Sequence, residues 1–308
     1  GGTSPAVTLT GNITANGTNA VTSGTGGTGA AISITGAVTL GADVTVLNSA
    51  GTGGTAGSLT FSGSTSTIDS DGTARALTVT SGAGTVTFGG AIGQSASGAQ
   101  GVKGLSVTTT GTTSIGGSIR TADVAGVSGV SISGPVTLTG SVTVLTDRAT
   151  NDGSVTFGGT INGAQSLSLD AGSGTLSLSG TVGQTTALTS FSAAANAVTL
   201  PAVRAGTVFA QARTGNLTQT GIVTGAGTGD AIVLVAAQNW VNSAGASPFS
   251  LTGGGRYLVY STNPANNTFG GFSSPGNAFG RTYASNPPGD SSISSLPGNR
   301  LIYSLVPN

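Results

Sequence analysis

Cysteine, methionine, histidine and glutamate are all missing from the 308 residues. Without cysteine no disulfide braces the fold, and no thiolate serves as nucleophile or metal ligand. Without histidine no side chain titrates near neutral pH by default, and acid–base chemistry is left to nine aspartates. Charge of either sign is scarce. Nine Asp stand against Lys103 and eight Arg, 6% of the chain with a net of zero. That balance supplies no basic patch for nucleic acid or an anionic membrane. No apolar run approaches the roughly 20 residues of a membrane-spanning helix. The longest, Ala231-Ile-Val-Leu-Val-Ala-Ala237, has the length of a buried strand.

What is there is Gly, Thr, Ser and Val. Short runs alternate apolar and small polar residues, as in Val155-Thr-Phe157, Leu167-Ser-Leu169 and Leu176-Ser-Leu178, and Gly, Asn-Gly or Ala-Gly punctuates each one. Period-two alternation predicts strands with one buried face, and the glycines predict sharp corners between them. A disordered Gly/Ser/Thr linker is the alternative, and the regular placement of apolar residues argues against it.

The chain repeats itself. Leu77–Gln94 aligns without gaps on Leu167–Gln184, Gly36–Leu47 on Gly134–Leu145, and Gly57–Phe61 on Gly153–Phe157. Two long copies, at about 20–110 and 120–195, and a partial third after 196 follow from these matches. Units that cannot close a core alone bury it by stacking. The expected fold is therefore all-β, a right-handed parallel β-solenoid over 1–252, with a sandwich of hairpins as the alternative. At roughly 20 residues per coil and about 4.8 Å per coil, it is a rod on the order of 60 Å long. Composition changes near Trp240: seven of ten prolines lie from Pro248 onward, and all four tyrosines follow it. Residues 253–308 read as an irregular aromatic, Pro-rich C-terminal cap or lateral flap with a terminal strand, because an open solenoid end is an unpaired edge.

Ala237-Gln-Asn-Trp-Val-Asn-Ser-Ala-Gly-Ala-Ser247, Gly255-Arg-Tyr-Leu-Val-Tyr-Ser-Thr-Asn-Pro-Ala-Asn-Asn-Thr-Phe-Gly-Gly271 and Leu301-Ile-Tyr-Ser-Leu305 resemble the filamentous-haemagglutinin-like large surface exoproteins of Gram-negative bacteria. The Gly-Ser-Val-Thr-Phe-Gly-Gly-Thr-Ile-Asn-Gly segments are similar to the β-strand repeats of that family. The resemblance implies a secreted, very long β-helical protein outside the cell, serving adhesion, biofilm or fibre formation. The family's N-terminal secretion signatures are not matched by Asn263-Pro-Ala265 or Asn286-Pro-Pro288, so the chain resembles a distal segment of such a protein.

Chemistry is thinly represented. Asp69 and Asp71 have the spacing of a calcium loop but lack its further ligands and closing acid, which favours an Asp-Gly turn. Gly225-Ala-Gly-Thr-Gly-Asp-Ala-Ile-Val233 partly matches a calcium-binding nonapeptide, but occurs once and reads as a corner before a buried strand. Gly24–Gly29 lacks the Lys-Ser/Thr ending of a phosphate loop. Sequons begin at Asn12, Asn16, Asn216 and Asn266. No cofactor or metal is expected, and no enzymatic activity.

The expected role is a structural and adhesive extracellular segment that associates with itself end-to-end or laterally. The candidate assembly or binding surface is Tyr257, Tyr260, Tyr283, Leu301, Ile302, Tyr303 and Leu305. Pairing of Leu301–Val306, or of Tyr257–Tyr260, with a neighbour near Val7–Leu9 is the specific contact expected. A glycan- or host-binding adhesin acting through the aromatic region is the alternative. Ice binding through Thr-X-Thr pairs (Thr78/Thr80, Thr85/Thr87, Thr108/Thr110) is a third, and the uneven repeat offsets argue against it.

Overall fold

The structure, a computed structural model, describes residues 6–16, 29–49, 56–62, 67–94 and 101–306. The Gly24–Gly29 segment and the Asn16 sequon fall largely outside them. The architecture is nearly all-β, built from long parallel sheets. The alternation sets the inside and outside of each strand. Leu77 and Val79, Val130 and Ile132, and Val155 and Phe157 are buried, while the Thr and Ser between them face out.

The pairings form three ladders, which the chain enters in rotation. Val7–Leu9 and Ile13–Asn16 open the second and third, where Val38–Leu40 and Val44–Ser49 pair with them, and Ile32–Thr35 opens the first. Leu59–Ser62, Ile68–Ser70 and Ala76–Ser81 follow in parallel on the next rung of the first, second and third. The rotation continues through Phe249–Leu251 on the first ladder and Arg256–Ser261 on the second. Single residues complete some rungs: Ile92 bridges Ile68 and Ile119, and Val182 bridges Ile161 and Val203. The strand Val203–Ala212 serves two ladders, pairing Val203–Ala205 with Val223–Gly225 and Val208–Ala212 with Ile232–Ala236. Gly206 lies at the changeover, where a Cβ would come 2.4 Å from the Thr189 carbonyl oxygen.

Apolar side chains from all three ladders meet in one continuous core, where like residues stack along the ladder direction. Phe61 and Phe88 lie with ring centroids 5.4 Å apart and planes 8° from parallel. Corners are braced by side-chain amides as well as by backbone. Asn12 Oδ1 accepts from the Thr45 amide and Asn216 Oδ1 from the Asn239 amide, so these two sequon asparagines tie adjacent rungs together.

Rung spacing is less even than the expected 20 residues. Val86 pairs with Thr113 and Val203 with Val223, while Val44 pairs with Leu77. The loops absorb the difference and the strands keep register. The repeats also relate differently from the expected stacked copies. Leu77 lies on the third ladder but its match Leu167 on the second; Val38 lies on the second but its match Val136 on the first. What recurs in the sequence is the strand-and-corner unit, and matched units face different sides. The Thr-X-Thr pairs likewise do not stack into one array. Thr85/Thr87 belongs to the first ladder, and on the third Thr108 sits beside Thr80, one pair out of step.

The third ladder's ten-stranded sheet runs from Ile13–Asn16 to Trp240–Asn242, about 43 Å at 4.8 Å per rung. None of its strands carries a charged residue. A file of hydroxyls, Thr45, Thr78, Ser106, Ser131, Thr156 and Ser177, follows its outer surface in continuous register.

Candidate functional site

The C-terminal rungs of the second ladder differ from the rest because both faces are covered. In Asp230–Ala236, Ile232 and Leu234 enter the main core, while Val233 and Val235 enter a second, outer cluster. That explains the unbroken run at 231–237: a strand buried on both sides needs no polar face. Arg256–Ser261 repeats the arrangement, with Tyr257 and Val259 inward and Leu258 and Tyr260 outward. The outer cluster is closed by residues 277–296, where Ala278 and Ile293 are buried against it. Ile293 lies on the short helix Ser291–Ser294, whose N-cap Asp290 accepts from the Ser292 amide. Arg256 latches the segment: Nε donates to Asp230, Nη1 to the Leu296 carbonyl, and Nη2 to the Ile293 carbonyl at 3.5 Å.

Five of the seven residues expected on a binding surface are buried. Tyr257 stacks on Phe249 with centroids 4.3 Å apart, and Phe249 also stacks on Trp240 at 5.8 Å. Leu301 and Tyr303 face the main core, and Tyr303 packs on Phe279. Ile302 faces the outer cluster with Tyr260, whose hydroxyl donates to the Asn286 carbonyl at 3.0 Å. Burial pushes the Tyr257 and Tyr303 phenols up to about 12, and that of Tyr260 higher still. Only Tyr283, half-buried, and Leu305, 41% exposed, present side chains outward.

The expected end-to-end contact also meets a correction. Arg256–Ser261 is flanked by Asp230–Ala236 and Arg300–Tyr303, and Arg300–Tyr303 by Arg256–Ser261 and Asn277–Ala278. Neither offers a free backbone edge to a neighbour's Val7–Leu9. The second ladder's edge at this end is the two-residue strand Asn277–Ala278. A short edge of that kind is a poor template for pairing.

Tyr283 lines a cavity at the cap. It packs edge-on against Tyr260 at 5.4 Å and tilts toward Phe209 at 5.8 Å. Between the sheet's outer face and residues 281–284 lies a space of about 240 Å³, lined by Tyr260, Tyr283, Thr262, Ser304, Arg281 and Arg213. Arg281 donates to the Phe279 carbonyl at 3.1 Å. Arg213 spans rungs, donating to Asp147 and Asp170 at 2.8 Å each. Nothing in the sequence marks that triad, since its members lie 43 and 66 positions apart.

The acids singled out in the sequence are dispersed. Asp71 pairs with Arg75 at 3.1 Å, and that guanidinium holds its carboxyl below the ordinary carboxylate range. Asp69 lies on the second ladder beside Thr39. Asp230, in the Gly225–Val233 stretch read as a corner before a buried strand, opens that strand and binds Arg256. Among the described residues no three Asp side chains converge as metal ligands would. Among the described residues no helix is long and apolar enough to cross a membrane. No family model matches the chain, and no curated protein or solved structure matches it significantly.

Proposed function

We propose that the chain is a non-enzymatic structural and adhesive segment displayed outside the cell, a right-handed parallel β-solenoid in the manner of the filamentous-haemagglutinin-like exoproteins. The supporting observation is the rotation of the chain through three parallel ladders that share one core. Such a body satisfies its backbone rung by rung and needs no disulfide or metal to hold it. Self-association is lateral in this reading. The uncharged, hydroxyl-lined third ladder sets no repulsion against a second copy, whereas both long strands at the C-terminal end are already paired. Electron microscopy tests it. Uniform rods that bundle side by side, and disperse when Thr78, Ser131 and Thr156 are replaced by Lys, are expected. Compact globular particles, or bundles unchanged by those substitutions, overturn it.

A glycan-binding reading rests on one feature, the half-buried Tyr283 ring over a cavity lined by hydroxyls. Retention of glycan binding by Tyr283→Ala removes that reading and leaves the scaffold reading untouched.

A further inference from the structure

The cavity beside Tyr283 spans the outgoing ends of three neighbouring rungs of the second ladder. Gln211, Val235 and Tyr260 lie side by side along its floor, and residues 281–284 form its wall. Backbone contacts hold that wall in place. The Arg281 amide donates to the Tyr303 carbonyl at 3.0 Å, and the Asn286 amide to the Thr282 carbonyl at 2.8 Å. The Tyr260 hydroxyl then ties Asn286 to the floor. A cavity fixed in this way spends little ordering on a ligand.

Two polar groups of the lining have unused capacity. Gln211 stands between Ala210 and Ala212, which face the main core, so its side chain points out to the cavity. Its carboxamide makes no hydrogen bond among the described residues. Arg281 donates from Nη1 to the Phe279 carbonyl and enters no ion pair. Neither residue has an unpaired donor sealed from solvent. The other cation of the lining, Arg213, is held by Asp147 and Asp170. Among the described residues no acid lines the cavity. Asp290, whose carboxyl feels the Arg281 charge, forms no ion pair with it. One guanidinium is thus available to a ligand.

We propose that this cavity takes a single carboxylate-bearing sugar, a uronic or sialic acid at the end of a glycan. The proposal rests on the glycan reading of the cavity and adds the charge of the sugar. One guanidinium fork pairs with one planar carboxylate through two parallel hydrogen bonds. Tyr283 presents a flat ring to the apolar face of the sugar. The Gln211 carboxamide both donates and accepts, as sugar hydroxyls do. A volume of about 240 Å³ falls below the roughly 300–1,000 Å³ that encloses a drug-sized ligand, so one ring enters and the rest of the glycan stays outside.

Isothermal titration of the whole chain at constant ionic strength tests it. The probes are the methyl glycosides of glucuronic, galacturonic and N-acetylneuraminic acid, with methyl glucoside and acetate for comparison. At least one acidic sugar should saturate a single site, about tenfold or more tighter than methyl glucoside or acetate. Arg281→Gln should remove that advantage, as loss of a charge-assisted pair does. Gln211→Ala, on the floor, should weaken acidic and neutral sugars alike. Methyl glucoside bound as tightly as the acids, and indifferent to Arg281→Gln, overturns this proposal and leaves the glycan reading standing. Acetate bound as tightly as the acidic sugars also overturns it, since the sugar then contributes nothing. Binding unchanged by both variants removes the ligand from the cavity, and no saturable binding by any sugar overturns the proposal and the glycan reading together.

Discussion

Arg256→Ala should release the segment that covers the outer cluster while leaving the rungs beneath it wound. The side chain connects three places: Asp230 on the preceding rung, and the carbonyls of Ile293 and Leu296 at the end of the short helix. Hydrogen bonds to a charged group contribute about 1.5–3 kcal/mol each when sheltered. Here the arginine side chain is 15% and the aspartate 27% exposed. Solvent screening of that kind brings the combined loss to about 2 kcal/mol. The loss falls on local opening, since the helix Ser291–Ser294 has little else to fix it apart from the buried Ile293 and its cap. An opening free energy lowered by about 2 kcal/mol corresponds to roughly 30-fold faster exchange. Native-state hydrogen exchange should record that acceleration at the amides of Ile293, Ser294 and Leu296, which donate within the segment. Amides of Leu77, Val130 and Val155 should keep their rates. Equal acceleration at both sets would mean that the covering segment and the ladders unfold as one unit. No acceleration anywhere would mean that the latch contributes nothing.

Other outcomes follow from the same contacts. Phe88→Ala removes a ring that is 1% exposed and stacked on Phe61, and should cost about 3–5 kcal/mol by denaturant unfolding. Phe88→Leu should cost much less. Gly183→Ala should prevent the corner at Val182 from forming its native bridge, because φ is +71° there and a Cβ would lie 2.0 Å from the Arg204 carbonyl oxygen; a melting temperature equal to the parent's would refute this. Tyr257 and Tyr303 have phenol values raised from 10 to about 12, so folding favours their neutral forms. The stability this supplies is fully present below pH 10 and is lost as pH rises through 12. Phenolate absorbance should therefore show late titration of these two rings together with unfolding. At the acid end, burial raises Asp152, but hydrogen bonds from the Arg148 amide and Ser173 outweigh it and hold the group below 3.8. Its contribution is present above 3.8 and lost below, so acid melting curves of Asp152→Asn should vary less with pH than those of the parent.

Strand positions were legible in the sequence because a period of two leaves little freedom: Val155-Thr-Phe157 buries its first and third residues as the alternation requires. The number of ladders was not legible. A three-residue strand and a glycine corner read alike on every face, which is why Leu77 and Leu167 align in sequence yet lie on different ladders. Burial of the cap tyrosines was hidden for a different reason. Arg256–Ser261 is a near-continuous apolar run with no polar face, so it carries no signal of which side meets solvent. Tyr257 and Tyr260 enter separate clusters, and only tertiary packing decides that. Arg213 reaches Asp147 and Asp170 only because loops are brought together across rungs, and no local pattern announces contacts at that separation.

Arg300–Tyr303 inserts between Arg256–Ser261 and Asn277–Ala278, so a strand later in sequence than both its neighbours occupies an interior place. With residues 300–303 withdrawn, Arg256–Ser261 bares an apolar edge and Asn277–Ala278 has no companion. The cap therefore fastens out of chain order, as one unit rather than strand by strand.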